Sequence, residues 1–339
     1  MPKLVELAEL AGIRVVESMA YHVNFPATHP LHAGYQYHTV QQNPVLAQAD
    51  VILAIDSDVP WIPVVNRPSA DAAIYCVDVD PLKSQLNMWH IPARRFAVAD
   101  SLVAVEQIAQ FVLMNKLADG AEVSVRRSAA AREHQGRLAE QEQRERLPGD
   151  GVITPEYLTA CVRRLLEAED ALILTEVVTN SRVVAEHLRA DKPGSVLHHG
   201  GGSLGWATGA AVGAKFAVSE RTVVSLVGDG SYLFGVPASA QWVARRYAAP
   251  SLTIIYDNRG WAAPKFSALQ VHPDGAAAAA DDFHVSFEPQ VDLPAVAAAA
   301  GAYGVSVADP GELAAALKQA LATVHGGRSA VVSVQLASV

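Results

Sequence analysis

Cysteine is nearly absent from this chain. Only Cys76 and Cys161 occur in 339 residues, and they form no CxxC pair. That excludes a disulfide scaffold and a cysteine-built metal site, and it fits a reducing compartment. No apolar run is long enough to cross a bilayer, and "MPKLVELAELAGIRVV" at the start carries acidic residues and reads as helix then strand, not as a signal peptide. A cytoplasmic chain without a membrane partner is therefore expected. Basic charge is not in excess either: 26 Lys and Arg stand against 35 Asp and Glu, a formal net charge of −9, so no nucleic-acid partner is expected. No GxGxxG follows a strand, which sets aside a dinucleotide-binding protein, and no internal repeat is present. What remains is ample: half of the residues are hydrophobic, enough for two compact α/β domains.

The most informative stretch is "VVSLVGDGSYLFGVPASAQWVARRYAAPSLTIIYDNRGW", Val223 to Trp261. A β-branched run ends in Gly228-Asp229-Gly230, followed by Ser231. Apolar residues then recur at helical spacing from Val236 to Tyr247, and a second β-rich run ends in Asp257-Asn258-Arg259-Gly260. Strand, helix and strand in this order form a right-handed parallel crossover, so both strands end at the same edge of the sheet. Asp229 and Asn258, 29 positions apart, can meet there. That edge is where open α/β sheets bind ligands. A carboxylate, a carboxamide and a glycine carbonyl make a hard oxygen set suited to Mg²⁺ and a diphosphate; taken singly, each turn reads as a strand cap.

"HHGGGSLGWATGAAVGAKFA", from His198, places three glycines before a helix of small residues. Glycines there allow a ligand close approach and leave amides free at the helix start, where anions are favoured; tight helix packing alone explains the pattern equally well. "ALILTEVVTNSRVVAEHL", from Ala171, repeats strand, polar turn and helix. Thr179, Asn180 and Ser181 sit where the helix begins, either as caps or as diphosphate contacts.

These segments together resemble the cofactor-binding domain of the thiamin-diphosphate enzymes near acetolactate synthase and benzoylformate decarboxylase. The resemblance implies an α/β chain of two doubly wound parallel-sheet domains, with thiamin diphosphate and Mg²⁺ as cofactors. It makes Asp229, Asn258 and the Gly260 carbonyl the metal ligands, with Gly228, Gly230 and Ser231 around them. The Gly202 carbonyl would contact the aminopyrimidine, with Ser203 in the same turn and Leu204 as the wedge beneath the folded cofactor. Thr179 and Asn180 would hold the diphosphate. A small 2-oxo acid is the implied substrate, to be decarboxylated or joined to a second carbonyl, and a homo-oligomer is the implied assembly.

The implied organisation is a partial middle domain over 1–115, a charged helical linker over 116–150 with a solvated face, and the cofactor domain over 151–339, opened by Thr154-Pro155-Glu156 as N-cap and first turn. The family's middle domain begins with a strand that has no counterpart here. In a doubly wound sheet that strand is central, so its absence leaves unpaired edges on both sides. The family's pyrimidine-binding domain, which supplies an essential Glu, has no counterpart either; Glu133 and His134 in "AREHQGRLAEQEQ" read as solvated helix. Either a partner supplies that domain, or the chain is a truncated, non-catalytic fragment or assembly partner. In "NFPATHPLHAG", His29 falls where benzoylformate decarboxylase has a proton-transfer histidine, and a turn pinned by local hydrogen bonds is the alternative. His32 and His38 have no such match, and adjacent His198 and His199 would face opposite sides of an extended chain. "DSDVPWIP", Asp56 to Pro63, departs from the flavin-holding pattern of acetolactate synthases, so FAD is not expected. Trp261 to Phe266 is expected to line part of the substrate pocket. The Ala276 to Ala280 run is expected to be a helix or a mobile segment.

Overall fold

A computed structural model describes residues 1–36, 41–86, 91–118 and 120–338; His38 lies outside them. The chain divides into two compact units, Met1–Ala139 and Glu140–Val339.

The first unit contains α1 (Pro2–Ala11), β1 (Val15–Ser18), β2 (His32–Gln36), α2 (Pro44–Gln48), β3 (Val51–Ile55), β4 (Ala73–Asp78), β5 (Arg95–Val98) and α3 (Ser101–Met114), followed by α4 (Ala121–Arg144), which runs on into the second unit. All strand pairings are parallel, but they form two sheets: β1 with β2, and β3-β4-β5. One edge each of β1 and β3 is therefore unpaired among the described residues. Helix α1 packs on both groups, since Leu4 reaches Ile55 of β3 in one core cluster and Val15 of β1 in another.

Helix α4 corrects the expectation of a fully solvated connector. Val123, Ala130 and His134 are buried, Arg126 donates to the Ala11 carbonyl, and Glu133 pairs with Arg14 at 2.9 Å. His134 is only 4% exposed, with Nδ1 3.2 Å from the His32 carbonyl oxygen. The apolar spacing was too sparse to reveal this face, because one helix stripe needs only one residue in three or four to be buried.

The second unit holds α5 (Pro155–Leu165), β6 (Ala171–Glu176), a single 3₁₀ turn (Val178–Asn180), α6 (Ser181–Leu188), β7 (Val196–His198), α7 (Trp206–Ala217), β8 (Thr222–Gly228), α8 (Asp229–Phe234), α9 (Pro237–Arg246), β9 (Leu252–Asp257), α10 (Ala262–Val271), α11 (Ala276–Ala280), α12 (Leu293–Ala299), β10 (Tyr303–Val307), α13 (Pro310–His325) and β11 (Ala330–Gln335). The strands form one parallel sheet in the order β10-β11-β9-β8-β6-β7. Helices α5, α6 and α13 pack as one group and α7, α9 and α12 as another. The four central strands β6, β8, β9 and β11 are accordingly apolar along nearly their whole length and almost entirely buried, as a parallel sheet covered on both faces demands. Helix starts follow their caps: the Thr154 side chain accepts from the Tyr157 amide before Pro155, and Asp309 accepts from Gly311 after Pro310.

Strand order reverses at β6. The chain leaves β6 for β7 on one side and returns to β8 on the other. The loops after β6 and β8 consequently diverge at a switch point, the crevice where open α/β sheets take ligands.

Candidate functional site

At that crevice the carboxyl ends of β8 and β9, adjacent in register with Gly228 opposite Tyr256, bring the two acidic motifs together. Asp229 opens α8 and is 4% exposed. Its Oδ1 accepts from the Gly230 amide at 2.8 Å and its Oδ2 from the Gly260 amide at 3.0 Å. Burial raises its carboxyl to about 7, aided by the nearby charge of Asp257 and opposed by backbone hydrogen bonds. A carboxylate this poorly solvated, with a second carboxylate nearby, would be stabilised by a cation.

Asn258 completes the arrangement. One terminal atom of its amide lies 2.9 Å from the Gly260 carbonyl oxygen and 3.2 Å from Asp229 Oδ2. With the NH₂ turned inward, the amide donates to both. With Oδ1 turned inward, oxygens from Asp229, Asn258 and Gly260 converge, an arrangement that a bound cation would favour, whereas the inward NH₂ satisfies both contacts without one. This donor set, carboxylate, carboxamide and carbonyl, has the hard-oxygen chemistry of a Mg²⁺ site. The predicted ligands thus meet where the crossover argument put them.

The turn is fixed from outside. Asp257 accepts from the Ser333 hydroxyl at 2.9 Å and from the Arg259 amide at 3.2 Å. Trp261 donates its amide to the Val285 carbonyl, and Phe287 donates its amide to the Arg259 carbonyl. The Trp261 ring contacts Phe234 and Phe287 edge-on and lies so close over Gly230 that a Cβ there would be 2.1 Å from it. Ser231 is buried beside Asp229, whereas Phe266, at the end of the expected substrate-lining stretch, is 52% exposed.

The glycine loop shows two regimes. A Cβ at Gly200, Gly201 or Gly202 would meet no atom within 4 Å, so open space surrounds the segment leading to Ser203 and Leu204. Gly205 is the opposite: φ is +92°, and a Cβ would lie 2.7 Å from the backbone of Phe234. Gly205→Ala is expected to cost about 3 kcal/mol, from left-handed strain plus overpacking; chemical denaturation of the variant checks this.

Two expectations are corrected here. The amides at the start of α7 are not free for an anion. Glu176, the last residue of β6 and 1% exposed, accepts from the Gly205 amide at 2.5 Å and from the Ala207 amide at 2.7 Å. The N-capping reading of the turn after β6 also fails, since Asn180 stands at the N-cap of α6 without a side-chain cap bond. Thr179 is exposed and Asn180 half-buried on that turn, at the switch point and open to a ligand. Glu176 was missed by sequence reasoning, although a carboxylate ending the apolar run "ALILTE" is a usable signal: buried charges need partners.

His29 belongs to the first unit. Its Nδ1 accepts from the Leu31 amide at 3.1 Å and its Nε2 is 3.2 Å from Glu9, so local bonds engage both ring nitrogens. His32 pairs with buried Glu17 at 3.2 Å. In the second unit, burial and then neighbouring His199 hold His198 down at about 4, which keeps it neutral.

A parallel α/β sheet with three loops and the oxygens of Asp229, Asn258 and Gly260 gathered at its switch point defines the class of the second unit: an open α/β domain with a polar crevice at the carboxyl ends of its strands. Residues 176–334 match the sequence model of the "Thiamine pyrophosphate enzyme, C-terminal TPP binding domain". Among curated proteins, benzoylformate decarboxylase of Pseudomonas aeruginosa is 31% identical over 173 residues, covering 51% of this chain and 31% of that protein. Acetolactate synthase isozyme 3 large subunit of Escherichia coli is 26% identical, covering 98% and 56%. Among solved structures, the thiamine diphosphate-dependent 4-hydroxybenzoylformate decarboxylase of Rhodococcus jostii superposes with a TM-score of 0.72 at 22% identity, over 100% of this chain and 59% of that one. The chain thus spans from about a third to three-fifths of the length of these relatives. No described helix is long and apolar enough to cross a membrane.

Proposed function

We propose that this chain contains the thiamin diphosphate- and Mg²⁺-binding portion of an acetolactate synthase-like 2-oxo-acid decarboxylase or carboligase. The observation that carries the reading is the convergence of Asp229, Asn258 and the Gly260 carbonyl at the switch point. Asp229, Asn258 and the Gly260 carbonyl would hold Mg²⁺, whose preference is for hard oxygen donors of this kind. Thr179 and Asn180, unused as caps, meet the diphosphate. Gly202 borders open space, and Gly202, Ser203 and Leu204 are the residues that would contact the rings. In this reading residues 151–339 form the cofactor domain, and 1–115 correspond to part of a middle domain. Thiamin diphosphate, when bound, supplies the electron sink for loss of CO₂ from a 2-oxo acid. The chain's own residues anchor and orient the cofactor; His29, held by Leu31 and Glu9, serves its turn unless a substrate displaces those bonds.

The test is calorimetric titration of the purified chain with thiamin diphosphate, with Mg²⁺ and then with EDTA. Saturable binding that EDTA abolishes is expected. Absence of binding even with a pyrimidine domain added, or binding indifferent to EDTA, would overturn the reading.

A further inference from the structure

Glu176 is a buried carboxylate for which the proposed chemistry has no use. It has no cationic partner among the described residues, and its two oxygens each take one amide of the α7 start: Oε1 from Gly205, Oε2 from Ala207. It stands where three loops of the crevice are joined. The turn carrying Thr179 and Asn180 begins two residues after it. The glycine loop ends on the amides it binds. Gly205 in turn presses on the Phe234–Gly235 backbone at the end of α8, the helix opened by Asp229.

We infer that Glu176 is a positioning residue that fixes the glycine loop, and so selects for the ring end of the cofactor without touching its diphosphate. The inference rests on the reading of the site given above. The physical argument is one of division of labour. A side chain clamped to two backbone amides through both carboxyl oxygens restrains the Gly205 turn, and just before that turn lie Gly200, Gly201 and Gly202, where an added Cβ would meet nothing within 4 Å. A carboxylate on the α7 start also claims the one strong anion position on this helix, since like charges repel. The diphosphate is therefore left to the Asp229, Asn258 and Thr179 side of the crevice, and the glycine loop is left to the uncharged rings.

The test compares the whole chain with its Glu176→Gln variant, which keeps the volume but places an NH₂ against an amide N–H. Hydrogen exchange of backbone amides is read first. Faster exchange confined to residues 200–207, with the thermal midpoint within a few degrees of wild type, is expected. Two probes are then titrated with Mg²⁺: thiamin diphosphate and inorganic pyrophosphate. Thiamin diphosphate affinity should fall about tenfold or more, the scale of one hydrogen bond to a charged group, while pyrophosphate affinity holds. A merely structural Glu176 would weaken both probes equally, and that result, or unchanged exchange at 200–207, overturns the inference. If wild type binds neither probe, the cofactor reading fails and selection for the rings goes with it. The exchange data would then still decide, on their own, whether Glu176 fixes the loop.

Discussion

Asp229→Ala is expected to abolish Mg²⁺-dependent binding of thiamin diphosphate while leaving the fold intact. The carboxylate is the only ionised member of the oxygen trio, since Asn258 and the Gly260 carbonyl contribute dipoles alone. Outer-shell changes alone cost metal sites about 10- to 100-fold in affinity, so loss of the charged ligand itself should cost at least about 100-fold. Stability should respond differently. The side chain is buried, and its ionised form is disfavoured enough to hold the carboxyl at about 7. Removing it forfeits hydrogen bonds from the Gly230 and Gly260 amides but also relieves that desolvation, and the two effects oppose each other. Calorimetry with Mg²⁺ should therefore register a lost isotherm, and circular dichroism melting only a small shift. Retained affinity would mean that the cation is held by other groups.

The second large effect lies away from the crevice. Glu145, just after α4 and 6% exposed, accepts from both terminal nitrogens of Arg163 at 2.9 and 2.7 Å, and from Arg189 at 3.1 Å. The Nδ1 of His187 lies 2.8 Å away. Glu145→Gln leaves these cations facing a neutral amide, and breaking a buried ion pair on one side costs about 3–5 kcal/mol. Burial alone would raise the Glu145 carboxyl, but hydrogen bonds from Arg163 and His187 and the charges of Arg163 and Arg189 outweigh it and hold the group at about 2, below the ordinary 4.5. Because the folded value lies below the unfolded one, the stabilisation is fully present above pH 4.5 and is lost as pH falls from 4.5 through about 2. At about 1.4 kcal/mol per unit the linked part is about 3 kcal/mol. Urea unfolding of wild type and variant at pH 7 and pH 3 checks both numbers. The gap between them should narrow on acidification, and a gap that stays constant would remove the carboxylate from the explanation.

Periodicity and punctuation revealed much of the second unit. The runs "TVVSLVG" and "LTIIYD" are too uniformly apolar for anything but buried strands, and Gly-Asp-Gly and Asp-Asn-Arg-Gly end them. Because right-handed crossovers admit one geometry, the meeting of Asp229 and Asn258 followed from local sequence alone. The motif at Gly228-Asp229-Gly230 read as a turn, however, whereas Gly228 ends β8 and Asp229 and Gly230 open α8. Helix α4 misled for a related reason: its buried face is three residues in a charged sequence, and burial there depends on what happens to lie opposite.

The chain's own residues therefore determined the parallel α/β class, the edge at which the site lies and the chemistry of its oxygen ligands, because strand pattern and crossover handedness are short-range properties. Only the tertiary structure decided that Glu176 occupies the start of α7, that Trp261 lies over Gly230, and that Glu145 gathers Arg163, His187 and Arg189. Each of these joins residues whose separation no local rule fixes. Burying the rings is favourable, whereas burying the charges is tolerated only because each meets its hydrogen-bonding partners, and both happen only once the layers have closed.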